Sequence, residues 1–170
     1  MKTFMEEMLR VSGITHDTNI CEISVIGVPD LPGIAYRLFS KLEDNNITAD
    51  TIIQSIKRKQ VNDISFTVSQ DDLTETVKVM EKWSEELGAQ GVEYHRQVAK
   101  ISVVGAGMVN KSKIARAMFQ ALYELDINIR MISSSEMKLS CLIDSDKVTL
   151  AVRAVHDKFS IQGIEVNSKC

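Results

Sequence analysis

The segment Lys100-Ile101-Ser102-Val103-Val104-Gly105 repeats Glu22-Ile23-Ser24-Val25-Ile26-Gly27, and from there the chain stays in phase with itself. IARAMFQAL from Ile114 matches IAYRLFSKL from Ile34, and Asp126-Ile127-Asn128 matches Asn46-Ile47-Thr48. Leu139 to Ile143 then matches Ile64 to Val68, while Asp146, Val148, Val152 and Val155 match the helix that begins at Asp71. Self-similarity over roughly 75–80 residues, with apolar phase, helix starts and glycines recurring together, predicts two copies of one supersecondary unit.

The first copy shows what that unit is. Ile23-Val25 with Ile26-Val28 reads as a strand, which ends in the loop Pro29-Asp30-Leu31-Pro32-Gly33. A helix follows, with Ile34, Ala35, Leu38, Phe39 and Leu42 as its apolar stripe. Ile47 to Ile56 and Ile64 to Val68 read as two further strands, joined by a solvated tip at Lys57-Arg58-Lys59-Gln60. Asp71-Asp72 opens a second helix whose stripe is Leu73, Val77, Met80, Trp83 and Leu87. Gly88 and Gly91 bracket its stop, and Val92 to Val98 supplies a fourth strand. The fold class is therefore α+β: two ferredoxin-like βαββαβ units, each an antiparallel sheet with helices on one face.

The second copy is one strand short. After its last helix, through Phe159, only the weak segment IQGIEV remains, whereas Val11 to Thr15 near the N-terminus is a short strand without a partner. The economical solution inserts the first unit within the second. The predicted division is a lead-in segment at 1–10, a strand at 11–16 completing the second unit, a first unit at 20–98, a second at 99–160 and a tail at 161–170. The lead-in reads as an amphipathic helix with Phe4, Met5, Met8 and Leu9 on one side, and His16-Asp17-Thr18-Asn19 is a polar break.

Composition narrows the function classes. A net charge of −3 gives no electrostatic reason to expect nucleic acid, and no apolar run is long enough to span a bilayer. MKTFMEEMLR lacks a signal-peptide core. Cys21, Cys141 and Cys170 are scattered and odd in number, which points to reduced thiols and a cytoplasmic protein. His16, His95 and His156 have no ligand spacing, so no metal is expected. Gly105-Ala106-Gly107-Met108-Val109-Asn110 has the start of a dinucleotide fingerprint, but Asn110 stands at the third glycine.

The strand-loop-helix at Val28 to Leu38 is the best site candidate. Pro32 cannot continue a ladder, and Gly33 leaves no side chain over the helix start, so the N–H groups of the first turn face outward for a carboxylate. The same residues also make an ordinary turn. Gln54 either hydrogen-bonds a small polar ligand through both its amide groups or pairs with strand backbone. Ser133-Ser134-Ser135-Glu136 ends the matching strand of the second copy, where hydroxyls and a carboxylate suit an ammonium or simply a polar strand end.

ISVIGVPDLPGIAYRLFSKLEDNNI, NDISFTV, KISVVGAGM, NIRMISSSE and AVRAVHDKF together resemble the tandem ACT regulatory region of aspartate kinase, over nearly everything from Val11 to Phe159. The resemblance implies a pair of ACT units, the first inserted into the second. It also implies inhibitory binding of lysine, threonine or both at interfaces between ACT units of a homodimer. A threonine-type pocket would use the helix start at Gly33, Ile34 and Ala35, with Gln54, Asn128 and Ile129; a lysine-type pocket would use Asp30, Ser135 and Glu136, with Met108 and Ala115 nearby. The second copy departs from the family in carrying Ser112-Lys113 where Pro-Gly is common, and Lys113 would repel a cationic effector.

Nothing in the sequence resembles the kinase catalytic part, so the chain by itself is expected not to catalyse. No cofactor is expected in it; ATP and Mg would belong to the kinase domain or subunit it regulates. The alternative is a free-standing ACT pair that senses amino acids without a kinase. Dimerisation is expected because each sheet leaves one face uncovered by its own helices, with Ile23, Val25, Ile52 and Ile64 supplying apolar surface.

Overall fold

The computed structural model describes residues 9–56, 60–105 and 110–167. The Lys57-Arg58-Lys59 tip, Met108 with the rest of 106–109, Cys170 and all of the lead-in helix except Leu9 and Arg10 lie outside them. In chain order the strands and helices are β1 (Leu9–Val11), β2 (Gly13–Asp17), β3 (Ile20–Pro29), α1 (Ile34–Asp44), β4 (Ile52–Ile56), β5 (Val61–Ser69), α2 (Leu73–Leu87) and β6 (Gly91–His95), then β7 (Val98–Val104), α3 (Lys111–Glu124), β8 (Met131–Ser134), β9 (Lys138–Asp144), α4 (Val148–Ile161) and β10 (Ile164–Val166). They form two compact units, one of residues 19–98 and one drawn from both sides of it, 1–18 and 99–170.

In the 19–98 unit the sheet order is β4-β5-β3-β6, with every neighbouring pair antiparallel. The apolar spacing of β3 explains its shape. Ile23 and Val25 keep a period of two, but Val28 also lies in the core, which an unbroken strand cannot manage. A β-bulge between Val25 and Val28 restores the phase. Gly27 takes φ 67 there, and its N–H donates to Asp63 Oδ1 at 3.0 Å. A Cβ on Gly27 would stand 2.6 Å from Gln90 Cγ, so both backbone and space require glycine.

α1 buries Ile34, Leu38 and Leu42, one residue per turn. Ala35 and Phe39, expected in the same stripe, are exposed, Phe39 by 47%. They stand about 100° around the helix from the buried row. α2 follows the expected stripe from Leu73, but residues 70–72 form a 3-10 turn ahead of it, and Thr76 is buried because its hydroxyl donates to the Asp72 carbonyl at 2.7 Å. The expected strand at Ile47 is shorter, starting at Ile52. Asn46 (φ 55) closes α1, Ile47 N–H donates to the Leu42 carbonyl at 2.9 Å, and only then does the chain reach the edge of β5. Asp126 (φ 54) and Ile127 end α3 in the same way, the latter bonding Leu122 at 3.0 Å.

In the other unit the order is β2-β7-β9-β8, so residues 13–17 occupy the edge position that β6 holds in the first sheet. The strand expected at Val11 to Thr15 is divided: Leu9–Val11 belongs to β1, Ser12 turns the chain, and Gly13–Asp17 runs along β7 and takes in half of the expected polar break. β1 pairs in parallel with β10, which falls within the segment expected as a tail. Val11 and Ile164 are both buried in the core of this unit with Ile101, Met118 and Phe159. The expected strand Val92 to Val98 ends at His95, and Val98 instead begins β7.

Of the four apolar residues expected to leave a face for dimerisation, Ile23, Val25 and Ile64 are in the core. Only Ile52 is open to solvent, at 37%. Register explains this: Val25 and Ile64 are direct cross-strand partners and so share the helix-covered face.

Candidate functional site

The mouth formed by the end of β3, the loop 30–33 and the start of α1 is built around a polar residue in an apolar row. Asn62, Ile64, Phe66 and Val68 alternate along β5 and all are buried. Asn62 faces Val28 on one side and Ile56 on the other, which puts it at the loop end of the core face. It is only 2% exposed. Its Nδ2 donates to Asp30 Oδ1 at 3.0 Å, while its own Oδ1 has no hydrogen-bond partner among the described residues. An ionised carboxylate only accepts, so the contact with Asp30 fixes which end of the amide is nitrogen. A buried carbonyl left unpaired costs about 1–3 kcal/mol.

The loop above it is held by backbone. Asp30 N–H donates to the Gln60 carbonyl at 2.9 Å and Ile34 N–H to the Leu31 carbonyl at 3.3 Å. Gly33 stands at φ 89 with nothing within 4 Å of where a Cβ would be. α1 then starts with no side-chain cap and no acidic residue in its first turn, so its positive end stays open to an anion. Asp30 and Ala35 are exposed and Ile34 is buried beneath them. Gln54 is exposed on β4 opposite Ile64, on the same sheet face as Asn62, and no side-chain hydrogen bond ties it to the described residues.

The corresponding mouth of the other unit is different. α3 begins at Lys111, three residues ahead of Ile114, whereas α1 begins at the matching Ile34. The positive φ moves from Gly33 to Asn110 (φ 61), whose side chain accepts from Lys113 N–H at 3.3 Å. That helix start is capped, and it carries Lys111 and Lys113. The Lys111 ammonium donates to the Ser135 carbonyl. Ser135 N–H in turn donates to the Lys138 carbonyl at 2.8 Å, closing the turn that holds the exposed Ser135 and Glu136. Where the first unit has buried Asn62, this one has Met137, 56% exposed, its carbonyl taking the Gly105 N–H at 2.9 Å.

The expected site residues therefore fall into separate groups. Asp30, Gly33, Ile34, Ala35 and Gln54 share one end of the 19–98 unit. Ser135 and Glu136 share the mouth of the other unit with the start of α3, on which Ala115 is half-buried against the core. Asn128 and Ile129 lie beyond the far end of α3, with Ile129 packed on that core. Met108 is outside the described residues. Asn62 was not among the expected residues; its signal is an amide in phase with Ile64, Phe66 and Val68.

Both described thiols are buried. Burial raises Cys21 above its ordinary value, although Arg96 pulls it back, and pushes Cys141 up to about 12. The described residues hold no group of three or more His, Cys, Asp or Glu placed for a metal, and no helix of them is long and apolar enough to cross a membrane.

Residues 23–82 and 101–159 match the ACT domain family. An aspartate kinase of Pseudomonas putida is 36% identical over 151 residues, covering 89% of this chain and 37% of its own length. The chain thus spans under two fifths of such full-length relatives. A crystal structure of aspartokinase α and β subunits contains a chain 40% identical, covering 88% of this one and 99% of itself, with a TM-score of 0.81. The regulatory subunit of aspartate kinase from Thermus thermophilus, ligand-free, is 34% identical, covering 88% and 98%, with a TM-score of 0.82. The chain belongs to the ACT domain family, as the tandem pair that forms the regulatory region of aspartate kinases.

Proposed function

We propose that this chain senses lysine, threonine or both as end-product inhibitors of aspartate-family amino-acid synthesis, and that the first mouth is where the effector binds. The supporting observation is charge placement. The open, uncapped start of α1 offers positive backbone ends to an α-carboxylate, and the acceptors Asp30 and Asn62 lie at the same end of the unit for an ammonium. A zwitterion satisfies both. Gln54, on the same face, is free to read the side chain.

The signal passes to a kinase domain or subunit, which supplies the ATP and Mg chemistry. An effector acts by stabilising the arrangement that presents its contacts, and a coupling of about 1–3 kcal/mol gives several-fold to about a hundred-fold regulation. We place the protein in the cytoplasm and as a homodimer through its ACT units, in keeping with the exposed Ile52 and Ile132 on the edge strands β4 and β8. Calorimetric titration with lysine, threonine and both together tests the reading, with sedimentation velocity in parallel. Binding of neither amino acid defeats it, and a monomer at micromolar concentration with and without ligand defeats the dimer.

A further inference from the structure

We infer that Asn62 is a specificity-determining residue of the effector site: its buried Oδ1 accepts a hydrogen bond from the α-ammonium of the bound amino acid, alongside the Asp30 carboxylate. The inference rests on the effector reading of the first mouth and adds to it a group that makes an unsubstituted ammonium obligatory.

The position of Asn62 makes the argument. It heads a row whose other members, Ile64, Phe66 and Val68, are core residues, and nothing about strand pairing calls for an amide there. Its amide nitrogen is in use, Nδ2 donating to Asp30 Oδ1 at 3.0 Å. The carbonyl oxygen of the same amide is left buried and without a partner among the described residues. Buried acceptors in folded proteins are nearly always paired, so one left bare beside a carboxylate marks a place completed by an incoming donor. The donor must be cationic or strongly polarised, because it meets a carboxylate and a carbonyl together. A primary ammonium has three protons and can serve both. An acylated amine keeps one uncharged N–H and can serve only one of them, and an absent amine serves neither. The matching residue of the other unit, exposed Met137, has no such group, so this selectivity belongs to the first mouth alone.

The test compares each amino acid with its des-amino counterpart, 6-aminohexanoate for lysine and 3-hydroxybutyrate for threonine, by calorimetry on the whole chain. Asn62→Leu should weaken the amino acid by about 10- to 100-fold, the loss of one hydrogen bond to a charged group, and leave the des-amino ligand unchanged. Asn62→Asp keeps an acceptor oxygen in nearly the same volume, and at pH 8 should retain the preference for the amine-bearing ligand. It serves as the decisive variant if Asn62→Leu does not fold by circular dichroism. Equal weakening of both ligands by Asn62→Leu, no weakening of either, or loss of the preference in Asn62→Asp overturns the inference while the effector reading stands. A parent chain that binds neither amino acid overturns both.

Discussion

Ser102 on β7 and Ser140 on β9 share a hydrogen bond of 2.8 Å between their hydroxyls, and both are buried. Ser24 on β3 and Ser65 on β5 make the same bond at 2.7 Å in the other unit. The repeat thus extends past the apolar phase to a polar pair on the opposite face of each sheet. A hydroxyl can donate and accept, so either serine of a pair can donate to the other, and the acceptor's own proton is left for a further acceptor.

The pair predicts a non-additive stability pattern. Ser102→Ala or Ser140→Ala alone strands a buried hydroxyl and should cost about 1–3 kcal/mol, while the double variant should cost less than the sum. Urea unfolding of the four proteins measures it. Strict additivity would mean that each hydroxyl finds water or another partner when its mate is removed.

Much of this was legible from the chain because repetition tests itself. Asn46 and Asp126, read as echoes of each other, both proved to be left-handed helix stops. The register of β3 was not legible, since Ile23, Val25, Ile26 and Val28 read as plain alternation until a bulge at Gly27 removes one residue from the count. Asn62 was missed for a related reason. Starting the strand at Ile64 discarded its first turn of the pleat, where an amide stands in a core position. Tertiary closure was the other blind spot: three residues at each end, Leu9–Val11 and Ile164–Val166, carry too little pattern alone to reveal that they pair.

Asp30 has two duties, which a conservative change separates. Asp30→Ala removes the charge for the ligand and also the partner of the Asn62 amide, so affinity should fall by roughly 1.5–3 kcal/mol and stability by about 1–3 kcal/mol. Asp30→Asn keeps an acceptor for Asn62 but not the charge. Its stability should stay near the parent's while ligand affinity drops. Thermal melts with and without lysine or threonine distinguish these; equal stability loss in both variants counts against the division of roles.

Cys141 links stability to alkaline pH. Its thiol is pushed from 9.0 up to about 12 by burial, so the folded state holds its proton longer than the unfolded chain does. The contribution is complete below the unfolded value and declines as pH rises from 9 towards 12, by about 1.4 kcal/mol per unit. Cys141→Ala should start less stable at pH 7 because of lost packing, yet show a flatter decline above pH 9. Parallel curves for the two proteins would refute the linkage.

Lys111 determines whether the second mouth is open. Its ammonium already donates to the Ser135 carbonyl, beside Glu136, so the chain supplies its own cation where the family resemblance places the amino group of a bound lysine. A free lysine must displace it and then face Lys113 on the same helix turn, with no gain in charge compensation. The capped start at Asn110 offers less to the carboxylate than the bare start of α1 does. The parent should therefore bind about one amino acid per chain, at the first mouth. Lys111→Met keeps the length and apolar stem while removing the charge, and should add a second, weaker class of lysine site without altering the first. Glu136→Ala in that background should remove the gained site, and Asp30→Ala should remove the original one. Calorimetric stoichiometry separates the cases. A parent that already binds two lysines per chain would show that Lys111 yields readily and does not close the mouth.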